Sequence, residues 1–194
     1  MSKKNSLIAI AAAALLATGA FAAPASAVTV ASVLADLPAG SGPWGIAADS
    51  SGNVYVANSL LDNVTKISPA GAILWTAATG DQPRGIAIDS SGNLYTANYG
   101  SGTVSKIASD GTSTVSWATV GTGPYGIAID MVSDSSDIIY VSNNGSNTLS
   151  KVGPIASTPA TVTSVSMPAG SAPRGVAVDP SGNVFVAKFG GGGV

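Results

Sequence analysis

A stretch of 25 residues, PRGIAIDSSGNLYTANYGSGTVSKI at 83–107, has copies that begin at Pro43, Pro124 and Pro173. Repetition at such a period restricts a chain to architectures in which each repeat is one supersecondary unit that buries its apolar face against its neighbours. Internal spacing sharpens the constraint. Six residues separate the Pro from the Asp that closes the first apolar run in all four copies: Pro43 to Asp49, Pro83 to Asp89, Pro124 to Asp130 and Pro173 to Asp179. Eleven separate the following aromatic from the Lys of the third run: Tyr55 to Lys66, Tyr95 to Lys106 and Tyr140 to Lys151. The distance from Lys to the next Pro drifts from 17 to 18 to 22, and that from Asp to the aromatic rises from 6 to 10 in the third copy. Those variable pieces read as surface connections.

Each repeat reads as four short antiparallel strands. The first run (GIAAD, GIAID, GIAID, GVAVD) is apolar in alternate positions of both parities, as in a strand buried on both faces. In DSSGN, Asp at the first turn position and Gly at the fourth suit a type I turn followed by a left-handed residue. The second run (NVYVAN, NLYTAN, DIIYVSN, NVFVAK) is β-branched and aromatic, and a third (NVTKI, GTVSKI, NTLSKV) and a fourth (AILWTA, TSTVSWAT, TVTSVSM) complete the unit. Four antiparallel strands in about forty residues form a propeller blade.

The pattern PxGIAxDxxGNxYVAN followed by VxKI, from Pro43 to Val194, resembles the NHL repeat of secreted and sensor-type β-propellers. The resemblance implies an all-β fold. Propellers of this kind also include streptogramin-lyase-like and gluconolactonase-like enzymes, whose chemistry rests on His or on Glu and Asp metal ligands. His and Glu are both absent from this sequence, so no catalytic residue carries over. The Ser residues form no GxSxG elbow and have no His to complete a triad. Neither a cofactor nor a metal site is expected: Asp49, Asp89 and Asp179 suit turn caps better than a calcium loop, which lacks its closing Glu. Lys66, Lys106 and Lys151 read as a solvated row on the strand rims.

The N-terminus differs from the rest. Lys3 and Lys4 precede an apolar run from Leu7 to Ala17, and Ala25-Ser26-Ala27 is a small-residue cleavage site, so residues 1–27 read as a signal-peptide helix that directs secretion or periplasmic export. The run is too short to span a bilayer. With no cysteine, stability rests on packing. Six basic residues against ten Asp from Val28 onward give a charge of about −4, which disfavours nucleic acid as a partner.

The expected organisation is an outer strand at 28–37, blade 1 at 43–80, blade 2 at 83–121, blade 3 at 124–170 and half a blade at 173–194. That is a partial propeller, an open arc whose unpaired edges offer a route to self-association. Strand alternation places DSSGN on the far face. The near face then collects the variable residue of each PxG opening, Trp44, Arg84, Tyr125 and Arg174, and the residue closing strand two, Asn58, Asn98, Asn143 and Lys188. These eight form the candidate ligand-binding face, with rings and guanidinium groups that suit a protein, peptide or glycan. A plainer reading has the rings cover inner-strand ends and the Asn side chains tie local turns. The expected function is a non-catalytic binding or scaffold module. Alternatives are a fragment of a propeller enzyme with catalytic residues outside this segment, and a purely structural surface repeat.

Overall fold

The computed structural model describes residues 41–131, 136–157 and 160–190. The expected signal-peptide helix at 1–27 and outer strand at 28–37 lie outside these residues. Three four-stranded antiparallel sheets follow in chain order. Blade 1 contains β1 (Pro43–Ala48), β2 (Val54–Asn58), β3 (Asn63–Ile67) and β4 (Ile73–Ala78). Blade 2 contains β5 (Pro83–Ile88), β6 (Leu94–Asn98), β7 (Thr103–Ile107) and β8 (Ser113–Thr119). Blade 3 contains β9 (Pro124–Asp130), β10 (Ile138–Asn143), β11 (Thr148–Val152) and β12 (Val162–Ser166). A pair, β13 (Pro173–Val178) and β14 (Val184–Lys188), forms the fourth sheet. The first strands β1, β5, β9 and β13 pack one against the next, so the sheets succeed each other as propeller blades do.

Packing between blades is apolar. Tyr55, Val64 and Ala77 of blade 1 meet Leu94 and Ile107 of blade 2, with Trp75, Ile86 and Ile88 at the margin. Tyr95, Ala97, Val104 and Ala118 of blade 2 meet Ile127, Ile139, Val141 and Val152 of blade 3. One expectation fails here. The strands buried throughout are the second ones, β2 and β6, whereas β1 and β13 alternate between half-buried and exposed. A second strand is paired along both edges within its sheet, while a first strand is paired along one edge only.

The DSSGN turns form as expected, with Gly52, Gly92 and Gly182 at φ near 80° and each glycine N–H donating to the Asp carbonyl. The Asp carboxylates are consumed locally. Asp49 Oδ1 accepts from the Ser51 and Asn53 N–H groups, and its Oδ2 accepts from Asn53 Nδ2 and from the Tyr55 hydroxyl at 2.9 Å. Asp89 repeats this with Asn93 and the Tyr95 hydroxyl. Burial works to raise the Asp49 carboxyl, but those hydrogen bonds outweigh it and hold it below its ordinary value. Burial likewise pushes the Tyr95 phenol up, with Asp89 adding to the effect. The tyrosine thus reaches back to the turn, which is why six residues separate Asp from aromatic. The Lys row also departs from expectation: Lys66 Nζ stacks over Tyr55 and Trp75, and Lys106 Nζ over Tyr95 and Trp117. Only Lys151 of the three is exposed.

The glycine of each PxG has a specific cause. A Cβ at Gly45 would collide with the Arg84 carbonyl oxygen, one at Gly85 would sit 2.6 Å from the Tyr125 carbonyl oxygen, and one at Gly126 would collide with that of Arg174. At Gly175 the nearest atom is Ala187 Cβ at 3.4 Å, an ordinary contact. Backbone meets backbone at each of the first three positions, so relief requires the blades to move apart. Gly126→Ala is expected to cost about 1–3 kcal/mol in urea unfolding, and Gly175→Ala well under about 1 kcal/mol. Equal costs at the two sites would contradict the account of the glycine.

Candidate functional site

Pro43 pairs with Asn58, Pro83 with Asn98, Pro124 with Asn143 and Pro173 with Lys188, so all eight predicted positions lie at one end of their sheets. Their side chains divide into two groups. Asn58, Asn98 and Asn143 are buried and bind within their own blades. Asn58 Nδ2 donates to Asn63 Oδ1 and Thr65 Oγ1, Asn98 Nδ2 to Thr103 Oγ1 and Ser105 Oγ, and Asn143 Nδ2 to Thr148 Oγ1 and Ser150 Oγ. These amides tie strand two to strand three. Asn98 Oδ1 accepts from the Thr96 hydroxyl, whereas Asn58 Oδ1 and Asn143 Oδ1 have no partner, because Val56 and Val141 occupy the position of Thr96. Lys188 holds the same slot in blade 4 and is half-buried.

Trp44, Arg84, Tyr125 and Arg174 behave differently. In blades 2 to 4 the residue after the proline is the extra one of a β-bulge: the register passes from Pro83↔Asn98 to Gly85↔Ala97, from Pro124↔Asn143 to Gly126↔Ser142, and from Pro173↔Lys188 to Gly175↔Ala187. A bulge bends the strand and re-aims the residue it inserts. In blade 1 the shift falls between Pro43 and Ile46, around Trp44.

The re-aimed side chains meet across blades. The Arg84 guanidinium carbon lies 4.8 Å from the centre of the Trp44 ring and 4.9 Å from that of Tyr125. The Arg174 guanidinium carbon lies 5.2 Å from the same Tyr125 ring. Trp44 and Tyr125 approach edge to face at 6.0 Å. Four successive blades therefore contribute an alternating row of ring, cation, ring, cation, each step within cation–π range.

Two further rings complete the row. Tyr99 lies 3.4 Å from the Arg84 guanidinium and Phe189 lies 3.5 Å from that of Arg174, the closest stacks in the set. Both are the residue directly after strand two. At that position the four repeats have Ser59, Tyr99, Asn144 and Phe189, so an aromatic stands there only in the blades whose PxG residue is Arg. That covariation between repeats was visible in the sequence. Trp44 is 55% exposed and Phe189 69%, while Arg84, Tyr125, Tyr99 and Arg174 are half-buried, so the row is a surface with standing apolar faces. Arg84 Nε and Arg174 Nε are buried and have no hydrogen-bond partner.

The far face offers less. Its turn carboxylates are already bonded, and among the described residues no three metal-binding side chains converge. No described helix is long and apolar enough to cross a membrane.

Comparisons agree with this architecture. Residues 73–104 match the family described as SBBP, a β-propeller repeat. No curated protein matches the sequence. Among solved structures, a streptogramin B lyase superposes with a TM-score of 0.68 at 19% identity, covering 78% of this chain and 50% of that one. The virginiamycin B lyase from Staphylococcus aureus gives 0.66 at 16% identity, covering 78% and 50%. A putative 6-phosphogluconolactonase from Bacteroides uniformis gives 0.60 at 21%, covering 79% and 51%. At these identities the likeness is one of fold, and the chain spans about half the length of the structures it matches: this chain is built of β-propeller repeats.

Proposed function

We propose that this chain is an exported NHL-type propeller segment, a binding or scaffold module that holds a protein, peptide or glycan ligand on its near face without chemistry. The observation that carries the reading is the contact row Trp44, Arg84, Tyr125 and Arg174, together with Tyr99 and Phe189. A row of rings and guanidinium groups is rich in stacking and hydrogen-bonding capacity and contains no carboxylate, imidazole or thiol. Fold likeness to lyases and a lactonase supplies the second reading, a propeller enzyme with catalytic residues outside this segment. A virginiamycin B lyase in which one histidine is replaced by alanine is catalytically inactive, and this sequence has no histidine at all. That difference favours binding over catalysis.

Export rests on the tripartite N-terminus, with cleavage after Ala27, and the organisation from residue 28 is three blades and half a fourth. Intact-mass analysis of exported protein is expected to show a mature N-terminus at Val28, and a secreted form that retains Met1 would contradict export with cleavage.

Glycan and peptide arrays probed with the intact chain test the site. A ligand found this way is expected to lose at least about tenfold in affinity when Arg84→Gln and Tyr125→Ala are combined, with near-normal folding by circular dichroism. Changes at Ser50 and Ser91, exposed in far-face turns, are expected to leave binding intact. The reverse pattern would place the ligand on the far face.

A further inference from the structure

The near face differs from the rest of the molecule in charge. Of the described acidic residues, Asp49, Asp89, Asp110, Asp130, Asp137 and Asp179 belong to far-face turns or strand ends, where Lys66, Lys106 and Lys151 offset half of their charge, while the near end carries Arg84, Arg174 and Lys188 against Asp62 and Asp81. Asp62 lies in the link between β2 and β3 and Asp81 in the link between β4 and β5, and Asp62 Oδ1 accepts the Gln82 N–H. A chain of net charge −2 thus presents cations at the mouth formed by its first strands.

The two guanidinium groups share one ring. Both lie within 5.2 Å of the Tyr125 centre, so they are no more than about 10 Å apart. Each is held flat by a close stack, on Tyr99 and on Phe189, and each keeps its Nε–H without an acceptor. A guanidinium held planar presents a donor fork complementary to a carboxylate, which accepts two parallel N–H bonds; with Nε buried, the outer pair of nitrogens is the fork that a ligand would meet. Aromatic faces lie directly alongside, with Trp44 the most open among the cross-blade rings.

The groups that would read a peptide backbone are occupied. Asn58, Asn98 and Asn143, whose amides pair with peptide N–H and C=O groups elsewhere, are buried and donate to Thr, Ser and Asn side chains of their own blades. What remains for a ligand is flat apolar surface beside cationic forks. Sugar rings stack on flat apolar surface, and uronic acids add carboxylates at the spacing of successive residues.

Resting on the near-face binding reading above, we propose that the ligand is an acidic glycan whose uronate carboxylates are gripped by Arg84 and Arg174 while a sugar ring lies on Trp44 and Tyr125.

The test titrates the intact chain with oligogalacturonates of three to six residues, and with neutral oligosaccharides of the same lengths, following Trp emission. Of the three tryptophans, Trp75 and Trp117 pack on Tyr55 and Tyr95, so Trp44 supplies the response. Saturable uronate binding is expected, weakened at least tenfold by Arg84→Gln and by Arg174→Gln, and by several-fold by Arg84→Lys, which keeps the charge and loses the fork. Affinity should fall as NaCl rises, a readout that needs no variant. The uronate assignment is overturned if no uronate oligomer binds, if neutral oligomers bind equally, if salt has no effect, or if a folded Arg174→Gln chain binds unchanged. A neutral glycan or a peptide that binds and is lost with Tyr125→Ala would overturn the uronate assignment and leave the near-face reading standing. A ligand insensitive to every near-face change would remove both.

Discussion

Everything on the near face depends on a backbone contact repeated between blades. The carbonyl oxygen of the bulged residue in one blade, Arg84, Tyr125 or Arg174, lies against the α-carbon of Gly45, Gly85 or Gly126 in the preceding blade. Such an approach leaves no room for a side chain, and it sets how closely β1, β5, β9 and β13 follow one another. Ser142 adds a side-chain link of the same kind: its hydroxyl donates to the Arg174 carbonyl at 2.7 Å and accepts the Gly126 N–H at 2.9 Å. The contact that spaces the blades also brings four chemically different side chains within reach of each other.

Distance then selects the chemistry. With first strands this close, two arginines in adjacent blades would repel, and an alternation of ring and guanidinium replaces repulsion with cation–π attraction, worth about 0.5–2 kcal/mol per contact as it loses water. The row Trp44, Arg84, Tyr125, Arg174 follows that alternation, and Tyr99 and Phe189 brace each cation from its own blade. Residues that repeat unchanged have other work. Asn58, Asn98 and Asn143 tie strands together, and the turn carboxylates of Asp49 and Asp89 take up the hydroxyls of Tyr55 and Tyr95 on the next strand. The repeated residues build the blade and the variable ones make each blade different.

The blades were legible in the sequence because their cause is local. Turn glycines at φ near 80°, β-branched second strands and fixed Pro-to-Asp spacing each act within a few residues, and the strands follow from them. What depends on neighbouring blades was less legible. The GIAID run looks like a buried strand, yet it is its small residues that matter, since they admit the next blade's backbone while the open edge stays exposed. Lys66 and Lys106 look solvated until Trp75 and Trp117 arrive from the fourth strands. Asn58 and Trp44 lie at the same end of their sheet, but position at a strand end does not say whether an amide points to solvent or to Thr65. Tyr99 and Phe189 lie one residue beyond the two positions compared across the repeats, and their signal is that an aromatic stands there only where the PxG residue is Arg.

The arginine stacks are the most direct test of this account. In a solution NMR spectrum of the intact chain, side-chain protons of a guanidinium held against a ring are displaced upfield by the ring current. Arg84 and Arg174 are predicted to show that displacement, with Arg84 relaxing in Tyr99→Leu and Arg174 in Phe189→Leu. Arginine resonances at random-coil positions in the unaltered protein would show that the row does not form.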